Sequence, residues 1–239
     1  MNPSPGHGQL ALNLRLRDAS SFENFISAAN REAVEHVRNA ALEAGQCSLP
    51  ARSIYLWGES GSGKTHLLEA ACRLAQGNGA TSLYVPLREM QSLSPALIED
   101  LDQTSLVCID DLDRMAGDSE WERGLFALYE NLKARGGTLV MGAGTNPGEL
   151  GFVLPDLVTR LAAGLVYPLR TATEEEKIAA LRLRAGQRGM EMGEEVVRYL
   201  LARFPRDMHS LFGLLDRLDD ATLAAQRRLT IPFLRDLTP

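Results

Sequence analysis

The chain has 239 residues, 45% of them apolar and 23% charged, with a formal net charge of −6. That length is enough for one large domain or two small ones around a packed core, and the acidic balance removes any bulk electrostatic case for gripping DNA. Three separated cysteines, Cys47, Cys72 and Cys108, argue against a disulfide scaffold and fit a reducing cytoplasm, while no apolar run approaches the ~18 residues of a membrane span and the N-terminus lacks a secretory apolar region.

The first eight residues are rich in Gly and Pro and are expected to be disordered. In Gln9-Leu10-Ala11-Leu12-Asn13-Leu14 the leucines alternate. That pattern fits an edge strand, or a linear peptide that docks its leucines in a partner's groove. Residues 20–30 carry Phe22 and Phe25, expected beside a bound base. Asn30 is placed to cap a helix over 30–44, with Val34, Val37, Ala41 and Leu42 inward and Gly45 as its stop. A buried strand follows over 53–57, then a glycine-rich loop, then a helix over 66–75. Strands are predicted over 81–85, 106–109, 138–143 and 165–169. Between them lie a short helix over 95–100, a longer one over 119–135 capped by Ser119, and a short one over 154–161. Strands alternating with helices predict a parallel α/β sheet in three layers. After Arg170 the pattern becomes helical throughout. Thr173 and Glu176 form a capping box that opens a helix to Gln187. Helices over 194–204 and 207–227 follow, and 231–237 is a short fourth helix or the third one's tail. This appendage is charge-neutral, so the acidic imbalance lies in the first part.

The loop reads Gly58-Glu59-Ser60-Gly61-Ser62-Gly63-Lys64-Thr65, followed by His66. It is the G-x-x-x-x-G-K-[ST] phosphate loop in its required setting between a strand and a helix. Its glycines let backbone N–H groups point inward, and the helix presents its positive end to the same point. Lys64 is expected to reach the outer phosphates of ADP or ATP, and the Thr65 hydroxyl to hold Mg²⁺. About 45 residues on, Leu106-Val107-Cys108-Ile109 leads into Asp110-Asp111. Carboxylates at the C-terminal end of a parallel strand stand where ligands gather. Asp110 is expected to hold the Mg²⁺, and Asp111 to orient or deprotonate a water. Asp111 is one methylene shorter than glutamate, which limits its reach.

The order of these features resembles the AAA+ ATPases: a phosphate loop, an acidic strand end, a polar loop after the fourth strand, an arginine in a short helix, then a helical lid. The runs over 53–68 and 108–112, the segment over 154–161 and Arg-Leu-Thr-Ile-Pro-Phe-Leu at 228–234 are similar to the branch of the bacterial initiator DnaA. Gln9, Leu10, Leu12 and Leu14 resemble the motif that binds the sliding clamp, the polymerase β subunit. Together with the expectation of no C-terminal DNA-binding domain after Pro239, this resembles the Hda family of DnaA-related regulators. The resemblance implies three parts: a flexible leader over 1–19, a nucleotide-binding AAA+ core with a five-stranded parallel sheet over 20–171, and a helical lid over 172–239. It also implies an arginine finger at Arg160, acting in trans on a neighbouring subunit. The residues alone read Arg160 equally well as a helix cap or a surface ion pair.

Two positions depart from that pattern. Gly144 stands where the family carries an acidic residue, with Thr145 and Asn146 beside it, and His209 stands where the family's lid carries an arginine. Both would read the third phosphate, so the expectation is a nucleotide-binding protein that hydrolyses little in its own site and prefers ADP. The function implied is regulatory inactivation of DnaA. The chain, bound to the clamp on DNA, would stimulate hydrolysis of DnaA-bound ATP and so restrain re-initiation of replication. A helicase-loader-like or DNA-binding ATPase that hydrolyses its own ATP is the alternative. The expected partners are DnaA and the clamp, with weak or no direct DNA contact and no membrane. Self-association controlled by nucleotide is compatible with a finger acting in trans, and the expected location is cytoplasmic, at the replisome or nucleoid.

Overall fold

The computed structural model describes residues 20–46, 52–90, 94–205, 208–225, 231–232 and 234. Five strands form one parallel sheet: β1 (Arg52–Trp57), β2 (Ser82–Pro86), β3 (Leu106–Asp110), β4 (Thr138–Ala143) and β5 (Leu165–Pro168), in the order β2-β3-β4-β1-β5. The pairing is in register along β1 and β4 from Arg52 opposite Thr138 to Trp57 opposite Ala143. Every residue of β3 and β4 is buried, as helices covering both faces of a parallel sheet require.

Side chains alternate between the two faces. Tyr55, Val107, Ile109 and Met141 pack on one side with Leu125, Leu128, Leu132 and Leu157 from α3 (Ser119–Ala134) and α4 (Pro155–Ala162). Ile54, Leu56, Cys108 and Val140 pack on the other with Val37, Ala40, Leu67 and Leu68 from α1 (Arg31–Leu42) and α2 (Lys64–Gly77). Cys72 and Cys108 are buried free thiols. Burial pushes the Cys108 thiol well above its ordinary pKa, with the neighbouring Cys72 adding to it.

A third apolar cluster joins α5 (Glu174–Gln187), α6 (Glu194–Arg203) and α7 (Met208–Ala225), and includes Leu181, Val197, Leu200, Leu215 and Leu218. Leu234 is buried in the same cluster. The predicted capping box is present: Thr173 Oγ1 accepts from Glu176 N, and Thr173 N donates to Glu176 Oε2. Hydrogen bonds among the described residues close the two ends of the core and join core to lid. Asn30 exchanges two hydrogen bonds with the Arg170 backbone, at 2.8 and 2.9 Å. Ala28 N donates to Glu176 Oε1 at 2.7 Å, and Gln187 Nε2 donates to Asn24 Oδ1 at 2.8 Å.

Several local expectations change. Asn30 precedes α1, but its side chain caps nothing there because it is committed to Arg170. The cap of α3 is Asp118, whose carboxylate accepts from Glu120 N and Trp121 N, rather than Ser119. Leu42 is exposed, and Ala33 and Ala40 take the inward positions on α1. The short helix predicted over 95–100 is 3₁₀ in type and runs longer, over Pro95–Gln103. Among the described residues, no helix is long and apolar enough to cross a membrane. The leader over 1–19, Cys47 and most of 231–237 lie outside the described residues.

Candidate functional site: a nucleotide cleft between core and lid

The phosphate loop leaves β1 and enters α2 with Gly63 at φ 97°, a left-handed backbone that favours glycine. The loop therefore turns tightly enough to aim the first N–H groups of α2 at one point. Strand order brings in the acidic pair: β4 lies between β1 and β3, so the loop and Asp110 flank the C-terminal end of β4. Gly142 of β4 makes room, since a Cβ there would stand 2.8 Å from Asp110 Oδ1.

Asp110 is nearly fully buried. Its Oδ2 accepts from Thr65 Oγ1 at 2.5 Å and from Tyr84 OH at 2.9 Å, and its Oδ1 accepts from Asp111 N at 3.0 Å. Burial raises the Asp110 pKa, and the Thr65 and Tyr84 hydrogen bonds oppose that rise. Lys64 Nζ donates to the Gly58 and Glu59 carbonyls at 2.6 and 3.0 Å. Burial lowers its pKa, while Asp110, Asp111 and Asp113 pull the other way. Asp111 sits at φ 55°, a left-handed conformation unusual for a residue other than glycine. Arg88 grips it at two points, Nη2 to Oδ1 at 3.1 Å and Nε to Oδ2 at 3.0 Å.

These groups line one cleft of about 1170 Å³ between core and lid. Gly58, Glu59, Ser60, Gly61, Gly63, Lys64, Thr65, His66, Asp110 and Asp111 all face it, with Gly144 on the same wall. Ser62 and Phe25 line a smaller adjoining pocket whose apolar wall suits a base. His66 bridges the two. Its Nε2 donates to the Ser21 carbonyl at 2.7 Å, and its ring tilts against Phe25 with centroids 5.6 Å apart. Phe22 is instead buried among the residues packed on α1 and α2. His209 lies on α7, and its side chain is outside the described residues, as are Gln9, Leu10, Leu12 and Leu14. The donor set fits a magnesium nucleotide. A turned loop of N–H donors, an ammonium, a hydroxyl and a carboxylate already joined to that hydroxyl converge on one volume.

Arg160 does not line the cleft. It lies on α4 with its side chain partly exposed, at 39%, and turned to α3, where its Nε stands 2.6 Å from Glu130 Oε1. The helix itself is aimed by a residue that sequence reasoning missed. Glu122 of α3 is fully buried, and its carboxylate accepts from Gly117 N, Val153 N and Leu154 N. It thereby fixes the loop that launches α4. Tyr84, Arg88, Gly142 and Asp113 were missed too. Asp113 Oδ1 accepts from Gly144 N at 3.0 Å, so a carboxylate stands beside the position where the family carries an acidic residue.

The family model of the bacterial DnaA ATPase domain matches residues 16–168. The chain belongs to the DnaA family of AAA+ ATPase domains. Residues 174–237 match the family model described as Hda, lid domain, so this DnaA-related protein carries an Hda-like lid. It is 42% identical over 230 residues to an uncharacterized protein of Haemophilus influenzae, covering 96% of this chain and 97% of that one. Domain III of the Thermotoga maritima initiator DnaA superposes with a TM-score of 0.73 at 22% identity, covering 94% of this chain and all of that chain. The AMPPCP-bound DnaA of Aquifex aeolicus gives 0.69 at 21%, covering 85% of this chain, which spans 66% of its length.

Proposed function

We propose that this chain is a regulator of DnaA: it holds a magnesium nucleotide in its own cleft, docks on the DNA-loaded sliding clamp through Gln9, Leu10, Leu12 and Leu14, and presents Arg160 to ATP bound on DnaA. The observation that carries this reading is the position of Arg160, outside the chain's own cleft with its side chain partly exposed on α4. A guanidinium there serves a phosphate on another subunit. The match of the lid to the Hda type supports the regulatory branch of the family, and the AMPPCP bound in the Aquifex aeolicus relative supports nucleotide in the cleft.

Within the cleft, Lys64 and the loop N–H groups bind phosphate oxygens, and Thr65 and Asp110 hold Mg²⁺. The metal supplies charge neutralisation for those oxygens. Phe25 and His66 frame the base. The bound nucleotide sets the angle between core (20–171) and lid (172–239), and so the face offered to DnaA. Turnover in this site is slow, because Arg88 occupies both oxygens of Asp111. ADP is the preferred resident. On DnaA, the Arg160 guanidinium neutralises charge that develops on the transferred phosphoryl group, an effect worth roughly 10³–10⁵ in rate for GTPase fingers. The test is whether the chain, with clamp-loaded DNA, accelerates ATP turnover by DnaA of the same organism. Acceleration is expected. Turnover by this chain alone, stimulated by DNA and indifferent to DnaA, would replace the proposal with an ATPase that works in its own site.

A further inference from the structure

The lid brings two arginines to the same cleft. Arg184 lies in the last turn of α5 and Arg188 is the C-cap residue that follows it, one turn on, so the two come to the same side. Both pair with a single oxygen of Asp216 on α7: Arg184 Nη2 stands 3.8 Å from Asp216 Oδ1, and Arg188 Nη2 closes on the same atom. Arg184, Arg188 and Asp216 line the cleft together with Lys64 and Thr65.

This arrangement costs folding energy. Two like charges sit one turn apart, and the Arg184 side chain is only 9% exposed. Its guanidinium carbon lies 4.2 Å from the centroid of the Phe212 ring, a contact that an uncharged side chain of similar length would also fill. The shared carboxylate is 53% exposed, so solvent weakens its hold. Two cations and one half-solvated anion leave positive charge turned toward the phosphate loop. Burial and the neighbouring Arg188 both push the Arg184 pKa down from its ordinary value, as expected of a cation short of counter-charge.

We propose that Arg184 and Arg188 are the lid's clamp on the outer phosphates of a nucleoside di- or triphosphate, and that Asp216 is a placeholder which the phosphate displaces. The inference rests on the nucleotide reading of the cleft and deepens it. Paired guanidiniums suit phosphate oxygens because their N–H forks match them two at a time. Exchanging Asp216 for phosphate ties α5 to the bound ligand in place of α7, so the packing of the lid responds to the number of phosphates.

Calorimetric titration with AMP and ADP, each with Mg²⁺, tests this on the wild-type chain and on Arg188→Gln, Arg184→Met and Asp216→Asn. Arg188→Gln weakens ADP about tenfold, the loss of one charge-assisted contact, and moves AMP by less than about twofold. Asp216→Asn tightens ADP, which a merely structural carboxylate would not do. Arg184→Met keeps the contact with Phe212 and repeats the ADP-selective loss. If Arg184→Met fails to fold, the more exposed Arg188 and Asp216 still decide the matter. Wild-type binding of ADP with no selective loss in Arg188→Gln would overturn the clamp alone. No ADP binding by the wild-type chain would overturn the nucleotide reading and the clamp with it.

Discussion

Glu122 offers a sharp test of how the fold positions Arg160. Its Oε1 accepts from Gly117 N at 2.8 Å and Val153 N at 3.1 Å, and its Oε2 accepts from Val153 N at 2.9 Å and Leu154 N at 2.7 Å. Glu122→Gln keeps the shape but turns one oxygen into a donor. At least one backbone N–H then faces another donor, and the remaining bonds lose their charge. A hydrogen bond to a charged group is worth about 1.5–3 kcal/mol. Glutamine recovers part of this because no charge has to be buried. The net loss is about 2–3 kcal/mol, which for a chain of this size is a fall of roughly 4–12 °C in midpoint. Thermal unfolding followed by circular dichroism reads it directly. Stimulation of DnaA should fall as well, although Arg160 is untouched, because the entry to α4 is no longer fixed. A midpoint within about 1 °C of wild type, with stimulation intact, would refute the assignment.

Three further outcomes are expected. Arg88→Ala frees Asp111 and raises the chain's own ATP turnover about two- to fivefold, in line with an exposed ion pair worth up to about 1 kcal/mol; unchanged or slower turnover in a phosphate-release assay would count against the restraint. Burial lowers the His66 pKa from 6.5, so the folded chain binds fewer protons than the unfolded one in that window. Its contribution to stability is complete above pH 6.5 and is lost as pH falls toward the folded pKa. Denaturant midpoints should drop across that range in wild type and flatten in His66→Gln, and a rise on acidification would contradict the sign. Deleting residues 9–14 should abolish clamp binding in surface plasmon resonance and leave ADP affinity unchanged; retained clamp affinity would return that segment to an edge-strand role.

The readable parts of the sequence are those whose partners are near in the chain. The phosphate loop is contiguous, and its flanking strand and helix follow from local apolar spacing. Thr173 and Glu176 are three residues apart, and their capping box is present. The five strands lie within a residue or so of their predicted ends because each is a short, mostly apolar run, and in β3 and β4 burial on both faces demands that the run be unbroken. What failed depends on distant partners. Asn30 looks like a cap, but it finds the Arg170 backbone 140 residues away. Asp118 beats Ser119 to the end of α3 because its carboxylate reaches two N–H groups. The grip of Arg88 on Asp111, the bond from Asp113 to Gly144 and the meeting of Arg184 with Asp216 join residues from 23 to 32 positions apart in the chain. Nothing in local spacing announces them. Glu122 is the plainest case: a glutamate beside Trp121 on an amphipathic helix reads as surface, and only the fold shows the three N–H groups that bury it.

The central claim is that Arg160 acts on ATP held by another protein. The measurement that meets it most directly is single-turnover hydrolysis of ATP preloaded on DnaA, with clamp-loaded DNA and either the wild-type chain or Arg160→Ala. The account predicts that Arg160→Ala binds clamp and ADP as the wild type does and gives no acceleration above DnaA alone. Full acceleration by Arg160→Ala would contradict it and leave the contact with Glu130 as a surface ion pair and nothing more.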